Sequence, residues 1–580
     1  MSNIAINITS TSSEAPDVAP KKVVDRPRVM LVRPPQQFYH AAFPRGPRLS
    51  LPIGLLSLGS FLERNGIEVK IYDAFVEGSG FDKQDAKLKE LSDYPMNRAV
   101  DGKSDGSSAN KLMHFGATFE EMREAMARYQ PDIVAITNLF RENTNETLEC
   151  ARIARQVAPD AVIAIGGPNA NADAESMLTQ KPEIDLVGLG DGEHILLELV
   201  EWKRGKRALN TIEGLVYRDA QGVFHRTEKR AFLQDLDSLG ELNYGMIHLD
   251  RYFSYEKAGI MSRARYEYDG GEKSVSLVNS RGCPYKCTFC SIHIHAGRKF
   301  RTYSEEHVLN HLQNLVENHG VKHIHFEDDN LTLDRPRFMR IMQGVLDRGL
   351  KFTWDTPNGV FANTLDEEML ELMKKSGCVY LVIGVESGDQ DVLDNVIRKK
   401  PLTIKKIVEV FQLGKKVGLD IHAFYIVGFP RETKENIMTT LNFALDSLKK
   451  WDVIPHLAIA RADPGTELYR EAKEGGFLRT NVEMANASGV HADRFVRHTI
   501  ETPEFTTHEL EELNEKYHRK FIRIIILKTA FFLLIHPKLA IESMTYLFRT
   551  IREEDYTVRQ SVIKLFFCRL FYRNSMLRIR

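Results

Sequence analysis

Cys283, Cys287 and Cys290 stand in the run Arg281-Gly282-Cys283-Pro284-Tyr285-Lys286-Cys287-Thr288-Phe289-Cys290, a C-x3-C-x2-C cluster. Three thiolates on one short loop suit iron and can hold three corners of a cubane [4Fe-4S] cluster. The fourth iron then has no protein ligand, which is what a small chelating molecule needs, so the loop is read as a site that binds and reduces something. Two other readings use the same residues. A structural zinc would need a fourth ligand, which His293 or His295 could supply, although zinc ligands more often come as two separated pairs and no second Cys pair exists. A disulfide framework fits less well, because six cysteines in 580 residues are sparse and three of them are clustered.

Such a loop needs a frame, and the chain downstream of Ser274 supplies a regular one. Short β-branched runs at Ser276 to Asn279, Val321 to Phe326, Phe352 to Thr356, Val379 to Gly384, Ile421 to Val427 and Ile454 to Ala460 read as strands. Amphipathic stretches between them, Glu305 to Asn318, Arg335 to Arg348, Asp366 to Ser376, Ile404 to Val417 and Lys434 to Leu448, read as helices. Strands alternating with helices on short connections predict a parallel sheet curled into a partial barrel, with chemistry at the carboxyl ends of the strands. The cysteine loop follows the first strand and so lies at that end.

With this context the chain resembles the radical S-adenosylmethionine (SAM) enzymes of the cobalamin-binding subgroup, the class B methyltransferases among them. The resemblance is carried by the cysteine loop, Arg298-Lys299-Phe300-Arg301-Thr302-Tyr303-Ser304 after it, Phe326-Glu327-Asp328-Asp329-Asn330, Ile383-Gly384-Val385-Glu386-Ser387-Gly388 and Val427-Gly428-Phe429-Pro430-Arg431-Glu432-Thr433. It covers roughly residues 28 to 535. It implies that Cys283, Cys287 and Cys290 ligate a [4Fe-4S] cluster. It further implies that the methionine amino and carboxylate groups of SAM chelate the open iron, and that the reduced cluster cleaves the sulfonium to a 5'-deoxyadenosyl radical. Acids ending strands at a barrel mouth are then expected to meet the cofactor: Glu327, Asp328 and Asp329 after the second strand, Glu386 and Ser387 after the fourth. The alternative is that these residues cap the next helix, as Asp334 would before Arg335-Pro336, or face solvent. Gly428, Pro430 and Pro464-Gly465-Thr466 are read as turn-shaping scaffold.

The N-terminal part reads as a second α/β unit. Strands are expected at Arg28 to Val32, Val69 to Asp73, Ile133 to Ile136, Ala161 to Ile165 and Leu186 to Leu189, with a helix from Leu51-Pro52 to about Asn65. This is a doubly wound sheet, whose ligands lie at the carboxyl ends of its strands. Those ends carry Thr137-Asn138, Gly166-Gly167 and Gly190-Asp191-Gly192-Glu193. They resemble the loops of cobalamin-binding domains, with Gly166 and Gly167 letting backbone approach the corrin or its nucleotide tail. The Asp-x-His-x-x-Gly signature of methionine-synthase-type domains is absent between residues 28 and 200. Either cobalt takes no protein nitrogen, or the domain is a relic without cobalamin.

The expected architecture is α/β, a Rossmann-like cobalamin-binding-type domain followed by a partial (β/α)6 TIM-type radical SAM barrel and a helical C-terminal extension. The bounds are a disordered tail over 1–26, the first domain over 27–230, a linker over 231–266 passing over the surface, the barrel over 267–500 and helices over 501–580. Asp82 to Gly116, rich in Lys, Asp, Gly and Ser, reads as an insertion within the first domain. A net charge of −1 and 43% hydrophobic residues give no reason to expect nucleic acid as a partner. Phe521 to Ile535 is apolar but interrupted by Arg523 and Lys528, short of the ~20 residues that span a bilayer, and is read as a helix packed on the barrel. Ser561 to Arg580 holds five Lys/Arg and no acid; docking on its own protein is favoured over contact with anionic lipid. An oxygen-sensitive cluster and no export signal place the chain in the cytoplasm. Cys150, Cys378 and Cys568 are read as small buried hydrophobes, and His293, His295, His323 and His325 as structural or solvent-facing.

The expected activity is cobalamin-dependent methylation of an unactivated carbon on a small-molecule or natural-product substrate. An external one-electron reductant of flavodoxin or ferredoxin type is its partner. A cyclisation or oxidation by the same architecture, and a non-enzymatic iron-sulfur electron carrier, are the alternatives.

Overall fold

The computed structural model describes residues 17–39, 50–78, 97–99, 112–257, 273–479 and 500–535. The first sheet contains β1 (Arg28–Arg33), β2 (Glu68–Asp73), β3 (Ile133–Thr137), β4 (Val162–Gly166), β5 (Leu186–Gly188), β6 (Leu215–Arg218) and β7 (Phe224–Arg226), in the order β7-β6-β5-β4-β3-β1-β2. The strands from β2 to β5 run parallel. β6 and β7 add an antiparallel edge that periodicity did not reveal. Val29, Met30, Leu31 and Val32 are all fully buried, as a strand covered on both faces requires. The chain leaves β1 to one side for β2 and returns on the other for β3, so a crevice opens at the carboxyl ends between them.

The second sheet contains β8 (Ser274–Leu277), β9 (His323–Phe326), β10 (Thr353–Val360), β11 (Cys378–Glu386), β12 (Asp420–Val427) and β13 (Ile454–Ile459), six parallel strands in sequence order. Between them, helices start on Ser304, Asp334, Asp366, Thr403 and Thr433, each accepting a hydrogen bond from a first-turn backbone N–H. Phe326 and Phe338 meet the Trp354 ring edge-on, sealing one face of β9 and β10 against the helix Arg335–Asp347. The alternate residues of these strands face the barrel interior. There His325 Nδ1 lies 2.9 Å from Asp355 Oδ1 and His323 Nε2 lies 3.2 Å from Asp355 Oδ2. The outer ring nitrogens meet Thr353 Oγ1 at 2.7 Å and Ser274 Oγ at 3.1 Å. Both histidines are buried, with both ring nitrogens close to polar partners.

Two expectations are corrected. Within the tail expected to be disordered, residues 17–26 are tied to the first domain: Asp17 accepts from the Leu209 backbone N–H, Trp202 donates to the Val18 carbonyl, and Val24 donates to that of Lys203. The linker does not merely pass over the surface, since Leu236, Leu239, Tyr244, Tyr252 and Phe253 join the core. Within residues 82–116, Leu112–Phe115 is the central strand of a small antiparallel sheet, paired with Gln36–Tyr39 on one side and Asn97–Ala99 on the other. The helix Thr507–Ile535 packs through Ile525 on Leu448 and Ile454 of the barrel, as expected. Among the described residues no helix is long and apolar enough to cross a membrane. The basic segment 561–580 lies outside the described residues.

Candidate functional site

The cysteine loop is closed at its base by a two-stranded ribbon, Ser280–Arg281 against Arg301–Thr302. Gly282 sits at φ +87°, where a Cβ would lie 2.4 Å from the Lys299 carbonyl oxygen, so only glycine passes this point. Its N–H donates to Asp329 Oδ2 at 3.2 Å, that of Cys283 to the Gly297 carbonyl at 3.2 Å, and that of Thr288 to the Ile397 carbonyl at 3.1 Å. The three thiols are half-buried and unbridged. Burial pushes Cys283 up, Cys287 up to about 11 and Cys290 up to about 12. At neutral pH these sulfurs hold their protons until a metal displaces them, and three soft sulfur donors on one loop fit an iron-sulfur cluster. His293 Nδ1 lies 3.1 Å from the Cys290 carbonyl oxygen, which leaves Nε2 as its remaining ligand atom.

The acids divide. Asp328 does not face the site: it is 1% exposed and accepts hydrogen bonds from the Asn279 backbone N–H at 3.1 Å, from Asn279 Nδ2 at 3.2 Å and from the Ser280 hydroxyl. It pins the turn from β8 into the cysteine loop, and burial raises its carboxyl to about 7. Its neighbours Glu327 and Asp329 line the cavity at the barrel mouth. Ser276 donates to Glu327 Oε1 at 3.0 Å. Glu386 ends β11 in the left-handed region at φ +68°, a strained conformation for a residue with a side chain. It pairs at 2.5 Å with buried Lys399, which sequence reasoning missed. Lys399 lies near enough to Cys287 and Cys290 for their thiolates and Glu386 to raise its pKa against burial. Gly384 is needed for this pair, since a Cβ there would lie 2.6 Å from both Glu386 Oε1 and Lys399 Nζ. Ser387 faces elsewhere, bonded to Thr440 Oγ1 at 2.8 Å and accepting from the Asp389 N–H.

In the first domain, Thr137, Gly166, Gly167, Gly190 and Gly192 line the same cavity, of about 500 Å³. No atom lies within 4 Å of where a Cβ on Gly166 would project, so the backbone there is open to a bulky ligand. Gly167 has another cause: at φ +105° a Cβ would lie 2.7 Å from the Asn138 carbonyl oxygen. Asn138 is fully buried, accepts from Asn169 Nδ2 at 2.9 Å and knits the ends of β3 and β4. The cavity continues between the sheet and its covering helices, where Leu55, Ala135, Ala164, Ile195 and Leu199 make an apolar slot.

Glu193 is the largest departure from expectation. It is 3% exposed, accepts from Ser57 Oγ at 2.7 Å and forms an ion pair with Arg281 at 2.7 Å. Asp191 joins Arg281 at 2.9 Å and Arg301 at 2.7 Å. Two acids of the first domain therefore clasp the two arginines that bracket the cysteine loop. Burial alone would push Glu193 up, but the attraction and hydrogen bonds of Arg281 hold it at about 2.

Comparisons with known proteins agree with this geometry. Residues 278–444 match the radical SAM superfamily and residues 108–200 the B12 binding domain. A cytidylyl-2-hydroxyethylphosphonate methyltransferase of Streptomyces wedmorensis is 26% identical over 517 residues, 85% of this chain and 90% of that protein. An uncharacterized methyltransferase of Pyrococcus horikoshii is 30% identical over 364 residues, 63% of this chain and 74% of that protein. An anaerobic magnesium-protoporphyrin IX monomethyl ester cyclase of Cereibacter sphaeroides is 29% identical over 378 residues, 64% of this chain and 56% of that protein. In fold, the chain is similar to the radical SAM methyltransferase TsrM of Kitasatospora setae, with TM-score 0.57 and 17% identity over 79% of this chain and 76% of that one. Fold and site thus define a radical SAM barrel joined to a B12-binding domain. The chain belongs to the cobalamin-dependent radical SAM methyltransferase family. It is an enzyme whose cofactors are a [4Fe-4S] cluster, SAM and cobalamin.

Proposed function

We propose that this enzyme transfers a methyl group from SAM to an unactivated carbon of a small molecule. One observation carries the reading: the glycine-lined edge of the B12-binding sheet and the mouth of the barrel open onto a single cavity beside the cysteine loop. When bound, the cluster supplies the electron that cleaves a sulfonium and cobalamin supplies a transferable methyl group. The residues do the rest. Cys283, Cys287 and Cys290 hold the cluster. Glu327 and Asp329 offer carboxylates to an ammonium group or ribose hydroxyls at the strand ends. Thr137 and the bare backbone of Gly166, with Gly190 and Gly192, form the bed for the corrin, and the apolar slot between Leu55 and Leu199 takes the base of its nucleotide tail. Lys399, held by Glu386, places a buried cation beside the cysteine sulfurs. The Asp191/Glu193 clasp fixes the distance between the two cofactor beds, and the mostly apolar cavity wall excludes water.

The cyclase relative favours a second reading, a radical reaction without net methyl transfer. Anaerobically reconstituted enzyme, supplied with hydroxocobalamin, a strong reductant and methyl-labelled SAM, separates the two. Methyl transfer yields both S-adenosylhomocysteine and 5'-deoxyadenosine, whereas the cyclase reading yields only the second. Absence of 5'-deoxyadenosine sinks both.

A further inference from the structure

The loop leaving β3 carries Leu139 and Phe140, which line the cavity and are 38% and 62% exposed, and then Arg141. Arg141 is the reverse of its neighbours: only 7% exposed, with no described residue accepting a hydrogen bond from its Nε or Nη2 and no described ion-pair partner. The nearby acids do not solve this. Glu142 and Asp463 both pair with Arg461 on the loop after β13, at the barrel's active face. Burial lowers the Arg141 pKa against the attraction of Asp463, Glu142 and Asp173. A buried guanidinium without a partner is strongly disfavoured, and a ligand anion removes the penalty. The unpaired nitrogens are also informative. Nε and Nη2 form one edge of the guanidinium, whose parallel N–H bonds match two oxygens of a carboxylate or phosphate.

We infer that Arg141 anchors an oxyanion, a carboxylate or phosphate borne by a molecule entering the seam between the B12-binding sheet and the barrel. The inference deepens the methyltransferase reading and rests on it for the source of the anion. The group belongs either to the small-molecule substrate, which is then anionic, or to the phosphodiester of the cobalamin nucleotide tail. Arg141 directly follows Phe140, which lines the cavity, and Arg461 on the barrel loop after β13 is close enough for its charge to act on it.

The test uses the full chain, wild type and with Arg141→Met or Arg141→Lys. Three probes are titrated: inorganic phosphate by thermal shift, and hydroxocobalamin and cobinamide by corrin absorbance. Cobinamide lacks the nucleotide and its phosphodiester. If the substrate supplies the anion, phosphate raises the wild-type melting temperature, Arg141→Met weakens that response at least tenfold, Arg141→Lys weakens it less, and both corrinoids bind unchanged. If the cofactor supplies it, Arg141→Met weakens hydroxocobalamin at least tenfold and leaves cobinamide unchanged. Without ligand, Arg141→Met should melt no lower than wild type, because it removes an uncompensated charge. Should Arg141→Met match wild type with all three probes, or lose hydroxocobalamin and cobinamide equally, the inference is overturned. Failure of the cobalamin reading alone looks different: wild type binds neither corrinoid while its phosphate response still depends on Arg141.

Discussion

Replacing Arg281 with Met removes the cation that faces both Glu193 and Asp191 across the domain boundary. Asp191 keeps Arg301, but Glu193, 3% exposed, is left with Ser57 alone. The loss can be sized from the carboxyl itself. Its fall from an ordinary 4.5 to about 2, at about 1.4 kcal/mol per tenfold, corresponds to about 3 kcal/mol of stability at neutral pH. Breaking one partner of a buried pair typically costs about 3–5 kcal/mol, which agrees. The assay is urea unfolding of the apo chain, with Arg281→Met, Glu193→Gln and the double variant, across pH. In wild type the Glu193 pKa is depressed, so its contribution is present above about 4.5 and is lost as pH falls toward about 2. In Arg281→Met burial, opposed only by the Ser57 and backbone hydrogen bonds, raises the carboxyl above its ordinary value, so the variant should instead gain stability as pH drops through that region. The double variant should recover most of the loss, because no charge is left buried without a partner. A cost under about 1 kcal/mol, or stability–pH curves that run parallel in wild type and Arg281→Met, would refute the clasp.

Single Cys283→Ala, Cys287→Ala and Cys290→Ala variants should each lose the visible absorbance and most of the iron after anaerobic reconstitution while keeping far-ultraviolet circular dichroism; retention of a full cluster by any of them refutes its role as a ligand. Asp328, raised to about 7 by burial, binds its proton more tightly folded than unfolded, so it adds stability as pH falls from about 7.5 to 5.5, by about 2 kcal/mol; Asp328→Asn should flatten that part of the apo protein's stability–pH curve, and an unchanged slope refutes the assignment. The two adjacent glycines should separate cleanly: Gly166→Leu projects into open cavity and should leave the melting temperature near wild type while cutting hydroxocobalamin affinity more than tenfold. Gly167→Ala meets the Asn138 carbonyl oxygen at 2.7 Å with φ +105° and should lower stability by about 1–3 kcal/mol, read by urea midpoint.

Local signals were legible because their physics is local. The three cysteines lie within eight positions, so their spacing marks a soft metal site without reference to the rest of the fold. The parallel strands are continuous apolar runs, visible without knowledge of their neighbours, and all six barrel strands and the five parallel strands of the first sheet were readable on that basis. The antiparallel β6 and β7 were missed, since three or four residues give too little pattern to register. Among strand-end acids, sequence marked Asp328 and Glu327 alike. Only alternation along the actual backbone shows that Asp328 turns inward to Asn279 while Glu327 and Asp329 meet the cavity. Ser387 and Asn138 failed as ligand candidates for the same reason: their side chains are consumed by Thr440 and Asn169, partners no short-range pattern announces.

From the chain alone came the thiolate triad, the barrel and the doubly wound sheet, because each is written in spacing and periodicity over a few dozen residues, while SAM and cobalamin followed from the family those motifs resemble. Tertiary structure decided which polar groups remain available. Glu193 meets Arg281 across 88 positions, Lys399 reaches Glu386 and the cysteine loop, and Arg141 is buried without a partner among the described residues. Whether a charge becomes a brace, a counterion or a docking point depends on its water exposure and on the opposite charge within a few ångströms, and neither is set until the two domains close on each other.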